Sequence, residues 1–555
     1  MRHPARFLLL SICSLLLFTD PLTPIVLGDD DPSVAVVSIS SYDKLMGHAE
    51  VVGEIVGFPQ AQQMIQLQIM QLTGGKPLAG LDQTKPIVID IRLGQAQPYW
   101  IACLPVTDFK ALLGSIPPPL AETEDAGDGT LLLKAAESPM YAKSQGGWTF
   151  LSDQKEHLTK LPKDPVALAG DLASKYVMAG RVNMKNVPAE KRAELMGFLE
   201  LMSQLQLAGA GEAGVDLEAQ QAMMKDNIAR LKKWVDETVD VTFGVAINGD
   251  DKNVHIDFLT TARAKTQTAN SYQRFQTGKS AHAGFLHVDA AIAGAFHLTG
   301  QPADDEIKYI DAQEKVTREQ MVEELENAND LTDGQKEVAK QSLGKLMKVM
   351  FDTLRADNFE AGFALMLNKR SSIVAGAQVS DGDAVESALK PLIQMASEQV
   401  GIPEPDWEAE NHAFYRIHTL NIPVPDEDSK KLIGEQLEVA VAVNAESVYL
   451  AMGGNGIAAI KRVIDASAKA SDEVTESAEA VIQVGKIMQF AVEVDEENGA
   501  MYLPIAGMLQ EKDAVRYGIQ QIENGIQARI TMEQNILRAM PLMSMTFGAG
   551  LPDKD

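Results

Sequence analysis

PIVIDIRL (86–93), apolar but for Asp90 and Arg92 at alternate positions, and the apolar run YWIACLPV (99–106) flank a short polar turn. That pattern predicts a β-hairpin, and the helix-like run DFKALLGSI (108–116) follows it. The same sequence of elements returns later. EAGFALML (360–367), the turn NKRS and SIVAGAQV (372–379) form a second predicted hairpin, followed by helical DAVESALKPLIQMA (383–396). Thr107 and Asp383 are candidate N-caps, and Glu386 completes an Asp-x-x-Glu capping box.

Two more pairs keep that order. GGWTFLS (146–152) leads into DQKEHLTKL (153–161), and SVYLAMG (447–453) leads into NGIAAIKRVI (455–464), with Asp153 and Asn455 as capping residues. YVMAGRVNM (176–184) is matched with MQFAVEVDE (488–496), each read as a strand. Further strands are VAVVSIS (34–40), VTFGVAI (241–247), VHIDFLT (254–260), GFLHVDA (284–290), HAFYRIHTL (412–420) and LEVAVAV (437–443). Asn248-Gly249 marks a hairpin turn. The connecting turns are too short for parallel crossovers, so the sheets should be antiparallel. The expected fold is α+β, with two related halves, each a mostly antiparallel sheet covered on one face by helices. The halves would be residues 29–280 and 281–555, divided near Gln276–Ser280.

Long amphipathic helices are expected over 189–207 and 215–237, joined by the glycine-rich link AGAGEAG (208–214). Residues 262–275 read as helical. Thr332-x-x-Gln335 is a capping box for a helix ending near Arg355, whose apolar face reads Leu343, Leu346, Met350 and Leu354. PPPLAETEDAGDG (117–129), IPEPDWEAEN (402–411) and IPVPDEDS (422–429) read as loops, because their prolines and acids disfavour helix.

Residues 1–28 read as a secretory signal peptide. Arg2 and Arg6 precede the twelve-residue apolar run Phe7–Phe18, which is shorter than the roughly 20 residues of a membrane span. Val26 and Gly28 would then precede cleavage before Asp29, which implies an exported protein, periplasmic or extracellular, with no transmembrane helix after signal removal. Ile12 stands where a lipidation signal at Cys13 wants a small residue. Removal of Arg2, Arg6 and Asp20 changes the net charge from −28 to −29. That acid excess argues against nucleic acid and anionic lipid surfaces. Cys103 is the one cysteine left, so no intrachain disulfide can form. It sits in a predicted buried strand as a small apolar residue.

No catalytic, cofactor-binding or metal-ligating residue is assigned. The chain lacks His-Glu-x-x-His, Cys-x-x-Cys, Gly-x-Ser-x-Gly, a Walker loop and Gly-x-Gly-x-x-Gly before a helix. The nearest glycine-rich turn, MGGNG (452–456), lacks the lysine of a phosphate loop. The acidic runs Asp29–Asp31, Asp304–Glu306, Asp426–Asp428 and Asp381/Asp383 lack the ligand ladder of a helix-loop-helix calcium site. His412 and His418 should share a strand face, and His282 and His287 should point opposite ways. None is assigned to metal. The 24 methionines are the most suggestive feature, with Met196, Met202, Met223 and Met224 on the long helices and Met540, Met543 and Met545 near the C-terminus. Flexible thioethers suit adaptable apolar surfaces. The functional reading is a groove between sheet and helices for a lipid or a hydrophobic peptide.

With its signal peptide, its repeated hairpin-helix units and the stretches YVMAGRVNM and GGWTFLS, the chain resembles uncharacterised exported bacterial proteins of planctomycete type. The resemblance covers most of the chain after the signal peptide and implies an envelope location but no catalytic residue. The expected function is non-catalytic binding or scaffolding in the bacterial envelope with an apolar-ligand groove. The alternative is a secreted hydrolase whose site is assembled from distant carboxylates. Oligomeric state is not legible in these patterns.

Overall fold

The computed structural model describes residues 31–94, 98–116, 122–134, 139–210, 217–495 and 498–548. The expected signal peptide, residues 117–121 and the last part of the glycine-rich link lie outside the described residues. The chain forms two compact units. One comprises the residues up to Leu195 together with Thr238–Thr260, and the other comprises Met196–Glu237 together with Thr261 onward. The long helical excursion thus groups with the second unit, and the division falls at Thr260, upstream of the expected Gln276–Ser280.

The strands of the first unit are β1 (Ser33–Ile39), β2 (Ile87–Leu93), β3 (Pro98–Pro105), β4 (Thr123–Gly127), β5 (Thr130–Leu133), β6 (Met140–Gln145), β7 (Trp148–Ser152), β8 (Met178–Asn183), β9 (Thr238–Asn248) and β10 (Asn253–Ala262). They pair in the order β4-β5-β6-β7-β3-β2-β1-β8-β9-β10. All pairs from β4 to β9 are antiparallel. Helices α1 (Tyr42–Ile55) and α2 (Ala61–Leu72) link β1 to β2, and α3 (Phe109–Gly114) follows β3. A 3-10 turn, α4 (Pro165–Ala169) and α5 (Leu172–Lys175) follow β7. Helices α6 (Ala189–Ala210) and α7 (Leu217–Glu237) lie between β8 and β9, and α8 (Gln267–Tyr272) follows β10.

The strands of the second unit are β11 (Ile292–Leu298), β12 (Phe359–Met366), β13 (Ser372–Gln378), β14 (Asp406–His412), β15 (Tyr415–Pro423), β16 (Gln436–Val443), β17 (Ser447–Gly453), β18 (Ala478–Gln483), β19 (Ala514–Ile522) and β20 (Gly525–Met532). Their order is β14-β15-β16-β17-β13-β12-β11-β18-β19-β20, antiparallel throughout. Each strand takes the place held in the first unit by the strand numbered ten lower. The helices fall at matching places. Helices α9 (Asp304–Asn327) and α10 (Asp333–Arg355) link β11 to β12, α11 (Gly382–Val400) follows β13, and α12 (Glu427–Ile433) follows β15. Helix α13 (Gly456–Ala470) follows β17, α14 (Val484–Val494) and α15 (Gly499–Met508) lie between β18 and β19, and α16 (Gln534–Gly548) follows β20. Among the described elements α12 has no counterpart, nor does the small antiparallel pair of Gly278–Lys279 with Val474–Thr475.

Several expectations are corrected. Met488–Val494 of the stretch MQFAVEVDE are the end of helix α14, Glu496 lies outside the described residues, and the strand in the position of β8 is β18, ten residues earlier. Residues 283–287 form a 3-10 turn, and the strand follows at Ile292. The turn fits because a Cβ on Gly284 would stand 2.0 Å from the Ser467 backbone nitrogen, so the two backbones are in contact. Within the expected loops at 117–129 and 402–411 lie the outermost strand β4 (TEDAG) and most of β14 (DWEAENH), whose charges are tolerated because an outermost strand pairs along one edge. Strand β15 also runs on to Pro423, into the expected loop at 422–429. Residues 262–275 hold only the short α8, because β10 runs on to Ala262. The caps of α3 and α11 are Asp108 and Asp381, not Thr107 and Asp383. Neither Asp153 nor Asn455 makes a side-chain cap. The Thr332/Gln335 capping box is present, but α10 buries Met347, Val349 and Phe351, leaving Met350 and Leu354 exposed.

Candidate apolar-ligand face

One face of the second unit's sheet is closed by helix α13. Its Ile460, Val463 and Ile464 pack on Val374, Tyr449 and Ala451. The strand period then fixes what the other face shows. In β13, Ser372, Val374 and Gly376 are buried, while Ile373 and Ala375 are exposed. In β17, Tyr449 and Ala451 are buried, while Leu450 and Met452 are exposed.

Register joins these outward positions into rows. One row runs Val439, Met452, Ile373, Leu365, Ile292, Ile482, Val515 and Met532 across eight adjacent strands. The next passes through Leu450, Ala375, Phe363, Gly294, Ala480 and Tyr517, and a third through Val448, Ala377, Ala361, Phe296, Ala478 and Ile519. None of these positions holds a charge, and the one polar group is the Tyr517 hydroxyl. Ile373 is 45% exposed, Met452 44%, Phe363 43% and Leu450 41%. Val515 and Met532 lie against helices, so the open part of the first row crosses the six strands from β16 to β18, about 24 Å at about 4.8 Å spacing. Contiguous apolar surface on this scale marks an interaction site.

Methionine-rich helices border the face at its β19–β20 end. There Val515 and Met532 pack against Ile505, Leu509, Ile536 and Met543 of α15 and α16 and their flanks. Beyond that cluster Met501, Leu503, Met540 and Met545 are exposed. Of the methionines noted in the sequence, Met543 therefore supports the wall and Met540 and Met545 stand outside it. Met196 is buried and Met224 half-buried, and the side chains of Met202 and Met223 lie outside the described residues.

The other candidate chemistry resolves into structural roles. Ser152, Asp153 and His157 lie together, but both partners use one nitrogen. Nδ1 is 3.1 Å from Ser152 Oγ and 3.1 Å from Asp153 Oδ1. Ser152 Oγ also donates to the Trp100 carbonyl at 2.7 Å. A serine nucleophile needs its base on one ring nitrogen and the orienting acid on the other. Cys103 is fully buried, and burial followed by the Asp90 charge pushes its thiol up to about 12. Asp31 accepts from Tyr99 Oη at 2.9 Å, Asp305 and Glu306 pair with Lys233 and Arg274, and Asp426 caps α12. Among the described residues no group of three or more metal-ligating side chains could hold an ion.

Among the described residues, His287, His412 and His418 lie beside acids. His412 ends β14 and binds Asp465 at 2.7 Å, whereas His418 lies on β15, so the two do not share a strand. His418 Nδ1 accepts the Glu408 amide at 3.0 Å, and Nε2 is 3.5 Å from Glu386. Burial raises the Glu386 carboxyl, but hydrogen bonds from Lys390 and Arg416 outweigh it and hold the group below its ordinary range. His287 pairs with Glu473. His282 is fully buried beside Phe285 and Tyr449, with neither ring nitrogen hydrogen-bonded.

Among the described residues one carboxyl departs upward. Glu476 lies over Gly518, where a Cβ would stand 1.7 Å from Glu476 Oε2, and the register partner of Gly518 is Glu479. Burial, then the Glu479 charge, raises the Glu476 carboxyl above its usual value. Glu479 points to the side of β18 opposite Ala480, away from the open face. Sequence reasoning missed both this pair and the open face, since the burial of Glu476 over Gly518 and the joining of the apolar rows each depend on strand pairing. No family model, curated protein or solved structure matches the chain. No helix among the described residues is long and apolar enough to cross a membrane.

Proposed function

We propose that the chain is an exported, non-catalytic binding protein of the bacterial envelope, and that it holds the acyl chain of a lipid against the open sheet face of its second unit. The observation that carries this reading is the set of charge-free rows around Ile373, open to solvent and bordered by methionine-rich helices. A hydrocarbon chain gains about 25 cal/mol for each Å² of apolar surface removed from water. Thioether side chains beside it can adapt to chains of different shape. We also infer that the two units arose by duplication of a ten-strand module. The identical strand order and the matching places of the helical insertions support that inference.

A carboxylate hydrolase remains the second reading, and the raised Glu476 beside Glu479 is what favours it. The pair lies on the other side of the sheet from the apolar rows, so the two readings make separable demands. Mass spectrometry of the protein purified from its native source under non-denaturing conditions tests the first. Retained lipid in stoichiometric amount supports it. Ligand-free protein, or a retained peptide, counts against it.

A further inference from the structure

Helix α2 has a composition that its own unit does not explain. Its sequence is AQQMIQLQIMQL, and none of its side chains is buried. Met64 is 47% exposed, Leu67 54% and Met70 47%. Residues 55–75 form the longest run in the chain without Asp, Glu, Lys or Arg. A twelve-residue helix is marginal in water without a packed face. A helix apolar on more than one side is normally covered. Gly53 brings the start of α2 onto α1, since a Cβ there would stand 2.8 Å from the Ala61 Cβ. That contact fixes where α2 begins and leaves Met64, Leu67 and Met70 uncovered.

We propose that α2 is a self-association surface, and that it is covered by α2 of a second copy of the chain. Charge decides the occupant. Two molecules that each carry a large acid excess, −28 over the full sequence, repel, and contact costs least where neither presents a charge. An anionic bilayer would instead call for Lys and Arg beside the apolar residues, and residues 55–75 have none. The five glutamines of α2 both donate and accept hydrogen bonds, so an identical helix can satisfy them. In a two-fold contact each surface meets itself. Leu67 lies at the middle of the helix and would face the other Leu67 near the axis. The helix is about 18 Å long. Its face falls well below the roughly 800 Å² per partner of a standard interface. The dimer should therefore be weak and dissociate on dilution.

Sedimentation velocity of the full secreted chain over a concentration series tests this. Wild type should shift from monomer to dimer as concentration rises. Leu67→Lys and Leu67→Glu should each remain monomeric with an unchanged thermal midpoint, because the site is exposed. An equimolar mixture of the two variants should regain the dimer, since opposite charges would then meet at the axis. Wild type that stays monomeric at its solubility limit overturns the proposal. So does a dimer that survives in Leu67→Lys, or variants that fail to complement one another.

Discussion

The ring of Phe363 covers Gly294, its register partner on the neighbouring strand: a Cβ on Gly294 would stand 2.5 Å from Phe363 Cε1. On the closed face Tyr449 covers Gly376 in the same way, with 2.4 Å to Cδ1. The two pairs differ in what surrounds the ring. Phe363 is 43% exposed and can swing outward, whereas Tyr449 is 2% exposed beneath α13. Gly376→Ala should cost about 1–3 kcal/mol as overpacking of a filled core. Gly294→Ala should cost clearly less in urea unfolding while it changes binding of an apolar probe to the open face. Equal stability losses would contradict the assignment of the two faces.

Acid should destabilise the protein in two stages. Burial chiefly, with Lys390 and Arg416 adding to it and Glu386 opposing, lowers the His418 pKa below 6.5. A lowered imidazole contributes stability that is complete above the unfolded value and is lost as pH falls through 6.5 toward the folded value. Glu386 is also lowered, and its contribution is lost below its unfolded value of 4.5 as pH falls through the folded one. Thermal midpoints measured from about pH 7 to about pH 5 should fall in wild type. In His418→Gln the midpoint should start lower and fall less. A parallel decline in both proteins would remove His418 from the account.

Cys103 should be inert. Its thiol is pushed up to about 12 and its side chain is fully buried. Alkylation under native conditions should be negligible at neutral pH and become complete in denaturant. Cys103→Ala should cost about 1 kcal/mol. Rapid native labelling would show that strands β2 and β3 open far more readily than their packing implies.

Glu476 separates binding from hydrolysis. Its carboxyl is raised, so the fold favours the neutral form, and stability is lost as pH rises through the folded value. Glu476→Gln should therefore raise the thermal midpoint at neutral pH and leave binding on the open face unchanged. Loss of a hydrolytic activity in this variant would move the function to the carboxylate pair.

Much of the second unit was legible locally. The hairpin β12–β13 and the step from β17 into α13 follow from alternating residues next to a helical period. Strand β18 was missed because MQFAVEV satisfies both periods over so short a run, and the competing helix is fixed by its packing on Ile505 and Leu509. Strands β4 and β14 were hidden by their own acids, which an outermost strand tolerates, and by the prolines that precede them in the sequence. The face of α10 was misread because Leu343, Leu346, Met350 and Leu354 do form a helical stripe, yet the burial falls on Met347, Val349 and Phe351. The open face itself could not be read, since Met452, Ile373 and Ile482 become neighbours only through the pairing of strands far apart in sequence.

The most direct test of the central claim is titration of the full chain with a fluorescent long-chain fatty acid, comparing wild type with Ile373→Asp and with the control Met350→Asp. Both substituted side chains are exposed, at 45% and 47%, so neither variant should unfold. The account predicts saturable binding by wild type and Met350→Asp, and at least a tenfold loss in Ile373→Asp, about 1.4 kcal/mol. Equal binding by all three proteins, or no saturable binding by wild type, would contradict it.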